Sequence, residues 1–209
     1  MSDEQDIAKA TVLTPYGRLS FPNLAQPRAF KKNDTPMYGC TILFPKPEFV
    51  KKIREDEEPF SPWGDVAKHD LKLVRELHAA RVADEWPNEK KRPKLNNPFK
   101  DGDDEKWGGY IGNTFIRMKT KFEPTLIDTR KNEIPADKIE DILYAGCWVR
   151  AIVGTYTYSD TGNVGVGFGL QLVQFVRDDE VFSGRSVDLE ALEDLPDEDL
   201  APDDLDDLE

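Results

Sequence analysis

Cys147-Trp148-Val149-Arg150-Ala151-Ile152-Val153-Gly154-Thr155-Tyr156-Thr157-Tyr158 is followed by Ser159-Asp160-Thr161-Gly162-Asn163 and then by a second apolar run, Val164–Val176. The two runs are rich in β-branched and aromatic residues, and the five between them have good chemistry for a tight turn. Successive side chains of a strand point to opposite faces. In the first run Val149, Ala151, Val153, Thr155 and Thr157 share one face, which suits a core. Trp148, Arg150, Ile152, Gly154, Tyr156 and Tyr158 share the other, where aromatics sit beside a cation. The second run sets Gly165, Gly167 and Gly169 against Val166, Phe168, Leu170 and Leu172. Alternate glycines strip side chains from a band of sheet and weaken the strand, so they imply bending or the close approach of another surface.

Outward from this hairpin, further strand patterns are Thr11–Leu13, Tyr16–Phe21 (broken by Pro22), Tyr38–Phe44 (stopped by Pro45) and Thr114–Phe122. Pro124–Asp128 and a polar 131–141 segment lie between the last of these and the hairpin. A short helical stretch is predicted over Glu48–Arg54. Asp65 can cap a longer helix to about Trp86, with Leu71, Val74, Leu77, His78, Arg81 and Val82 on a helical period and Pro87 closing it. A polar loop over 88–113 follows, long enough to imply a purpose. The pattern is mainly β with a helical and loop insertion at about 46–113, in a single domain over residues 1–187. Local hairpins predict an antiparallel barrel or sandwich.

Charge divides the chain differently. It carries 28 basic and 41 acidic residues, a formal charge of −13. The 22 residues from Asp188 to Glu209 hold twelve carboxylates and no Lys or Arg, so the rest of the chain balances 28 cations against 29 carboxylates. A segment this acidic repels itself and has too little apolar mass to offset the entropy of ordering, so residues 188–209 are expected to be disordered in isolation. It mimics a nucleic-acid backbone electrostatically. Its leucines, at 189, 192, 195, 200, 205 and 208, also suit a peptide docked by a partner protein. The partner-binding segment is expected at Asp203, Asp204, Leu205, Asp206, Asp207, Leu208 and Glu209. Acidity confined to one end does not argue against nucleic-acid binding by the body; local distribution decides.

No apolar run approaches the roughly 20 residues needed to cross a membrane. The first ten residues lack the charge and apolar stretch of a signal peptide, so an intracellular protein is expected. Cys40 and Cys147 fall in strand-like runs and read as buried free thiols, although the fold could bring them together. With only His69 and His78 beside them, no standard zinc set can form, and no metal or cofactor is expected.

In Thr114–Phe122 the odd face carries Phe115, Arg117, Lys119 and Lys121, while Ile116 and Met118 take the other. Aromatics and cations on one sheet face are what unpaired nucleic acid needs: cations neutralise phosphates and rings stack on bases. Core packing is the competing account of Trp148, Tyr156 and Tyr158; the interleaved cations oppose it, because burying charge is costly. Lys90-Lys91-Arg92-Pro93-Lys94 is either a solvated loop or a basic flap over a bound strand. Asp101, Asp103, Asp104 and Glu105 could hold Mg²⁺ for phosphodiester chemistry, but Gly102 comes too early for an EF-hand, and a solvated turn is favoured. With no nucleophile elbow or P-loop, no catalytic residue is assigned.

Five stretches resemble a known family: Arg18–Leu24 (RLSFPNL), Tyr38–Lys46 ending Phe-Pro-Lys, Asn97–Asp103 (NPFKDGD), Tyr144–Arg150 (YAGCWVR) and Gly169–Gln174 (GLQLVQ). In this order they are similar to tailed-bacteriophage single-stranded DNA-binding proteins, formerly catalogued as a domain of unknown function, over roughly Val12 to Ser186. The resemblance implies an OB-fold barrel that binds unpaired DNA without catalysis, in phage replication, recombination or repair, in the cytoplasm of an infected bacterium. It also implies an acidic tail that competes for the DNA groove and recruits replication proteins. Many such tails end in a bulky apolar residue; this one ends Asp207-Leu208-Glu209. The expected DNA-binding residues follow from strand alternation: Phe115, Arg117, Lys119, Lys121, Trp148, Arg150, Tyr156 and Tyr158, with Tyr16 and Arg18 as secondary candidates. A strand-annealing protein, a metal-dependent nuclease and a pure DNA mimic are the alternatives.

Overall fold

Strand pairing closes into a ring. The computed structural model describes residues 10–29, 34–48, 70–106, 108–160 and 162–182. The expected helix over Glu48–Arg54 beyond its first residue, the Asp65 cap and the acidic tail lie outside them. Among the described residues there are eight strands: β1 (Val12–Leu13), β2 (Gly17–Arg28), β3 (Met37–Pro45), β4 (Lys100–Asp101), β5 (Asn113–Thr120), β6 (Thr125–Ile127), β7 (Trp148–Asp160) and β8 (Asn163–Arg177). Neighbours run β2–β3–β5–β8–β7 and return to β2, which makes a five-stranded barrel. The ring is antiparallel except where β5 lies parallel to β8. This is the OB-fold connectivity expected from the resemblance.

The alternation read from the hairpin sets the interior. Val149, Ala151 and Val153 of β7 point inward with Phe168, Leu170 and Val173 of β8, Ile42 and Phe44 of β3, Ile116 and Met118 of β5, and Leu19 of β2. The helix α1 (Lys72–Glu85) packs Val74 into this core and buries Leu77 as well. Phe99, from the long loop, stands edge-on to Phe168 at 5.7 Å and to His78 at 5.5 Å, with the Arg75 guanidinium 4.4 Å over its ring. The loop is thus fastened down at Phe99. Among the described residues no helix is long and apolar enough to cross a membrane.

The sequence reading ends β2 at Pro22, yet the strand continues to Arg28. Proline cannot donate to a ladder and is tolerated in sheets at bulges. Here pairing passes from Ser20↔Thr41 to Asn23↔Gly39, so one extra residue is accommodated where Pro22 falls. The β7–β8 turn is the tight connection expected, with Gly162 at φ 82° between the paired Asp160 and Asn163. The sequence pattern did not reveal β4, whose two residues lie inside a polar loop.

Cys40 and Cys147 are free and buried in the same core cluster. Burial pushes both thiols up to about 12. Only the thiolate is a good nucleophile, so neither should react with a thiol reagent at about pH 8 while folded, and both should react in denaturant. Rapid labelling of the folded protein would contradict this packing.

Candidate nucleic-acid interface

Directly paired residues of a sheet share a face, so the registers trace the barrel's outer surface. One row runs Ser20–Thr41–Arg117, the next Asn23–Gly39–Lys119–Gly169–Gly154. Since Lys119 meets Gly169, Arg117 lies on the same face as Gly167, which pairs with Tyr156, and Gly165 pairs with Tyr158. Closure of the barrel therefore unites the cationic face of β5, the glycine band of β8 and the tyrosine face of β7 on one surface. Arg117 is exposed, Lys119 half-buried, and Lys121 follows the end of β5 in the open.

The glycine band lies beneath the two tyrosines. A Cβ on Gly167 would come within 2.7 Å of the Tyr156 ring, and one on Gly165 within 2.7 Å of the Tyr158 hydroxyl. Each ring is laid across a paired glycine, and the two centroids are 6.3 Å apart. Tyr156 keeps 37% of its surface exposed. The other approaching surface implied by the glycines is therefore, in part, the protein's own tyrosines. Beside them the long loop is stitched to β8: the Asn96 amide donates to the Val164 carbonyl at 2.9 Å, and the Asn96 side chain bonds Asn163. This brings Lys94, exposed, to within two residues of the tyrosine end of the sheet. Arg92 instead turns back to the Trp86 carbonyl at 3.1 Å.

Three expected contacts lie elsewhere than in the open. Phe115 is 1% exposed, against Tyr110 at 4.9 Å and packed with Leu43 and Phe182. Trp148 is 2% exposed, and its Nε1 donates to Asp179 Oδ2 at 2.6 Å. The Arg18 Nε donates to the Gly146 carbonyl at 2.9 Å and its Nη2 to the Glu180 carbonyl at 2.5 Å, with the guanidinium 4.2 Å over Phe182. Burial lowers the Arg18 pKa against the opposing pull of Asp179 and Glu180. Alternation put Phe115 and Trp148 on the correct, outward faces. A 3-10 turn (Gly108–Tyr110) and the segment 178–182 then cover them, and no strand pattern reveals a cover. Neither ring can stack on a base without opening these contacts, and Arg18 is spent on fastening the segment 178–182.

Arg150 and Tyr16 form a separate pair. The Arg150 Nε donates to Gln174 Oε1 at 2.8 Å, and its guanidinium lies 5.6 Å from the Tyr16 ring centre. Six residues of strand separate Arg150 from Tyr156, about 20 Å at roughly 3.3 Å per residue. Arg150 shares a strand face with the tyrosines but not the same patch, and Tyr16 precedes β2 rather than lying in a strand.

The acidic turn already has a counter-charge. Lys46 Nζ lies 2.7 Å from Asp101 Oδ1 and 2.6 Å from Asp103 Oδ2, and Asp103 Oδ1 accepts the Gly112 amide at 2.7 Å. These bonds raise the Lys46 pKa; hydrogen bonds from Lys46 and the Asp103 amide lower that of Asp101, and those from the Gly112 amide and Lys46 lower that of Asp103. The cluster is a lysine-clamped turn. Among the described residues no group of three or more His, Cys, Asp or Glu is placed to hold a metal ion. The same turn carries Lys100, which the sequence reading passed over. It pairs with Phe115 and is exposed, so it adds a cation beside Arg117.

Known proteins resemble this chain in sequence and in fold. The family model described as "Enterobacter phage Enc34, ssDNA-binding protein" matches residues 10–205. Protein p50 of Acyrthosiphon pisum secondary endosymbiont phage 1 is 30% identical over 190 residues, covering 85% of this chain and 90% of p50. The solved single-stranded DNA-binding protein from bacteriophage Enc34 in complex with ssDNA superposes with a TM-score of 0.64 at 20% identity, over 83% of this chain and 89% of that one. Its C-terminal truncation gives 0.60 at 18%, over 82% and 88%. These two structures share the fold.

The clamp has a pH signature. Carboxylates held below their ordinary pKa stabilise the fold fully above about pH 3.9, and that contribution is lost as pH falls through their lowered folded values. The raised Lys46 contributes below about pH 10.4 and is lost only above it. The Gly112 amide should therefore be protected from hydrogen exchange at neutral pH and lose protection on acidification, and Lys46→Met should lose it at neutral pH. Unchanged protection in that variant would show that Lys46 does not order the turn.

Proposed function

The chain belongs to the family of the Enterobacter phage Enc34 ssDNA-binding protein, and from that premise we propose that its barrel binds single-stranded DNA without catalysis and with little sequence preference. The observation that carries this reading is the unbroken outer surface on which Arg117, Lys119 and Lys100 face Tyr156 and Tyr158 across a floor of glycine main chain. Phosphates lie along the cations and unpaired bases stack at the tyrosines. Each stacked base contributes about 1–3 kcal/mol, so two rings contribute about 2–6, against the roughly 8 of a micromolar complex. Phosphate contacts supply the remainder and make binding salt-dependent. A duplex keeps its base faces stacked inside and cannot use the rings. Lys121 and Lys94 extend the track, and Arg150 with Tyr16 forms an outlying contact. Phe115, Trp148 and Arg18 act by building the face.

The acidic tail competes for this surface. Support comes from the position of Phe182, which packs against the cluster containing Phe115, whose ring centre is 5.6 Å from the Arg117 guanidinium. The carboxylates begin six residues later, at Asp188. With the groove occupied by DNA, the released tail presents Asp203–Glu209 to replication and recombination proteins in the cytoplasm of the infected cell.

Fluorescence anisotropy of labelled oligo-dT tests the binding face. Tyr156→Ala should weaken binding about 5- to 150-fold, the equivalent of one stacked base. Arg117→Ala with Lys119→Ala should reduce the slope of log affinity against log salt by about 1.4, at roughly 0.7 per phosphate on a single strand. Equal affinity for the matching duplex would overturn the reading.

Deleting residues 188–209 should tighten binding at low salt, with a gain that shrinks as ionic strength screens the competition. Unchanged affinity at every salt would remove the competition and leave the docking role.

A further inference from the structure

A pocket of about 240 Å³ lies between β1, the Tyr16 segment that precedes β2, and the start of α1. Leu13, 44% exposed, Leu73, 60% exposed, and the buried Val74 supply its apolar lining. Tyr16, Arg150 and Asp70 supply its polar lining. Apolar residues scattered singly over a surface are ordinary, but two facing one pocket with polar groups around them are the pattern of an interaction site. The Arg150 Nε is taken by Gln174 Oε1 at 2.8 Å, and among the described residues its guanidinium has no carboxylate partner. Asp70, the acid of the pocket, is already engaged at the helix start, where its Oδ1 accepts the Lys72 amide at 2.8 Å. The lining therefore suits an apolar side chain with a carboxylate beside it, since a guanidinium fork matches carboxylate geometry.

We propose that this pocket docks the first part of the acidic tail, Asp188–Leu195, with its leucines against Leu13, Leu73 and Val74 and a neighbouring carboxylate on Arg150. Composition selects this segment: Asp188-Leu189-Glu190 and Leu192-Glu193-Asp194-Leu195 set carboxylates beside leucines, with no cation to oppose Arg150. Reach selects it too. Phe182 is held against the Arg18 guanidinium at 4.2 Å, and Arg18 pairs with Trp148. Arg150 lies two residues along β7 on the same face, about 7 Å away. The six residues from Phe182 to Asp188 span up to about 20 Å when extended. The N-terminal residues lead the other way: β1 pairs Leu13 with Ile152 and Val12 with Val153, and Thr11 lies beside Gly154, so the preceding chain runs away from Arg150. The proposal goes beyond the single-stranded DNA reading and asks nothing of DNA. It gives the tail a fixed starting point apart from the tyrosine patch and leaves Asp203–Glu209 for the DNA surface or a partner.

Disulfide trapping in the full chain tests the docking. Ala191→Cys keeps both flanking leucines, and Leu73→Cys and Leu13→Cys each place a thiol in the pocket at an exposed position. Cys40 and Cys147 are buried with their thiols pushed up to about 12, so at about pH 8 they stay out of the exchange. With oxidised glutathione, Ala191→Cys should cross-link to Leu73→Cys within one monomer at least about tenfold faster than to Phe122→Cys. Phe122 is 82% exposed and lies seven residues, about 23 Å of strand, beyond Phe115, against which Phe182 packs. Adding Arg150→Glu should bring the first rate down to the second. Equal rates for the two pairs, or a rate that Arg150→Glu leaves unchanged, would overturn the proposal. Cross-linked dimers in place of monomers overturn it in favour of a second copy's tail. Should Leu73→Cys lower the thermal midpoint, the Leu13→Cys pair decides instead: selective cross-linking supports the docking and its absence overturns it. No outcome depends on oligo-dT binding, so this inference and the DNA reading fail separately.

Discussion

Two residue pairs, Met118↔Phe168 and Lys119↔Gly169, join β5 to β8, and the outer surface depends on them. The contact is parallel, short and weaker per residue than the antiparallel ladders around it. Its register is nevertheless decisive, because a slip of one residue would exchange inside for outside. Core packing holds it in place: Met118 and Phe168 are buried in the same cluster, and Phe168 is held by Phe99 and His78. The interior thus determines that Lys119 stands beside Gly169 outside.

The outer face is divided between two uses. At one end Leu43, Tyr110, Phe115 and Phe182 form a second small core, roofed by elements that are not barrel strands. Arg18 is taken into this roof, which a cation tolerates only when its hydrogen bonds are satisfied. Two carbonyls, the Asp179 carboxylate at 3.6 Å and the Phe182 ring meet that need. Toward the other end Arg117 is exposed and the face is open. A cation's partners, more than its place in a strand, separate an architectural arginine from one that can meet phosphate.

Much of this architecture was legible in the residues because alternation is a local property. The runs 114–122, 147–158 and 164–176 reveal strands, and their two faces separate as the pleat requires. Alternation also places Phe115 and Trp148 outward, which is true, but it is silent on the turn at Tyr110 and the segment at 178–182 that bury them. Lys100 was hidden for a related reason: two residues carry no period. At Pro22 local chemistry was read too strictly, since a proline that halts a regular ladder is accommodated by a bulge. The β5–β8 contact, which assembles the patch, joins residues fifty positions apart and leaves no trace in either strand alone.

The glycine band bears on the kind of recognition the surface can support. Reading a base edge needs donors and acceptors placed side by side, whereas stacking uses the ring face that every base possesses. Positions 165, 167 and 169 contribute no side chain, so what they offer an approaching strand is low main chain and room. Tyr156 and Tyr158 cannot lie where they do unless Gly167 and Gly165 remain glycine, because an added Cβ would fall inside the contact distance of either ring. Tyrosine and glycine are therefore one unit on two strands, the glycine setting the height and tilt of the ring. A surface built from such units and flanked by flexible cations favours stacking and phosphate neutralisation over base-specific hydrogen bonding. Tolerance of sequence, on the proposed reading, is a consequence of what the glycines remove.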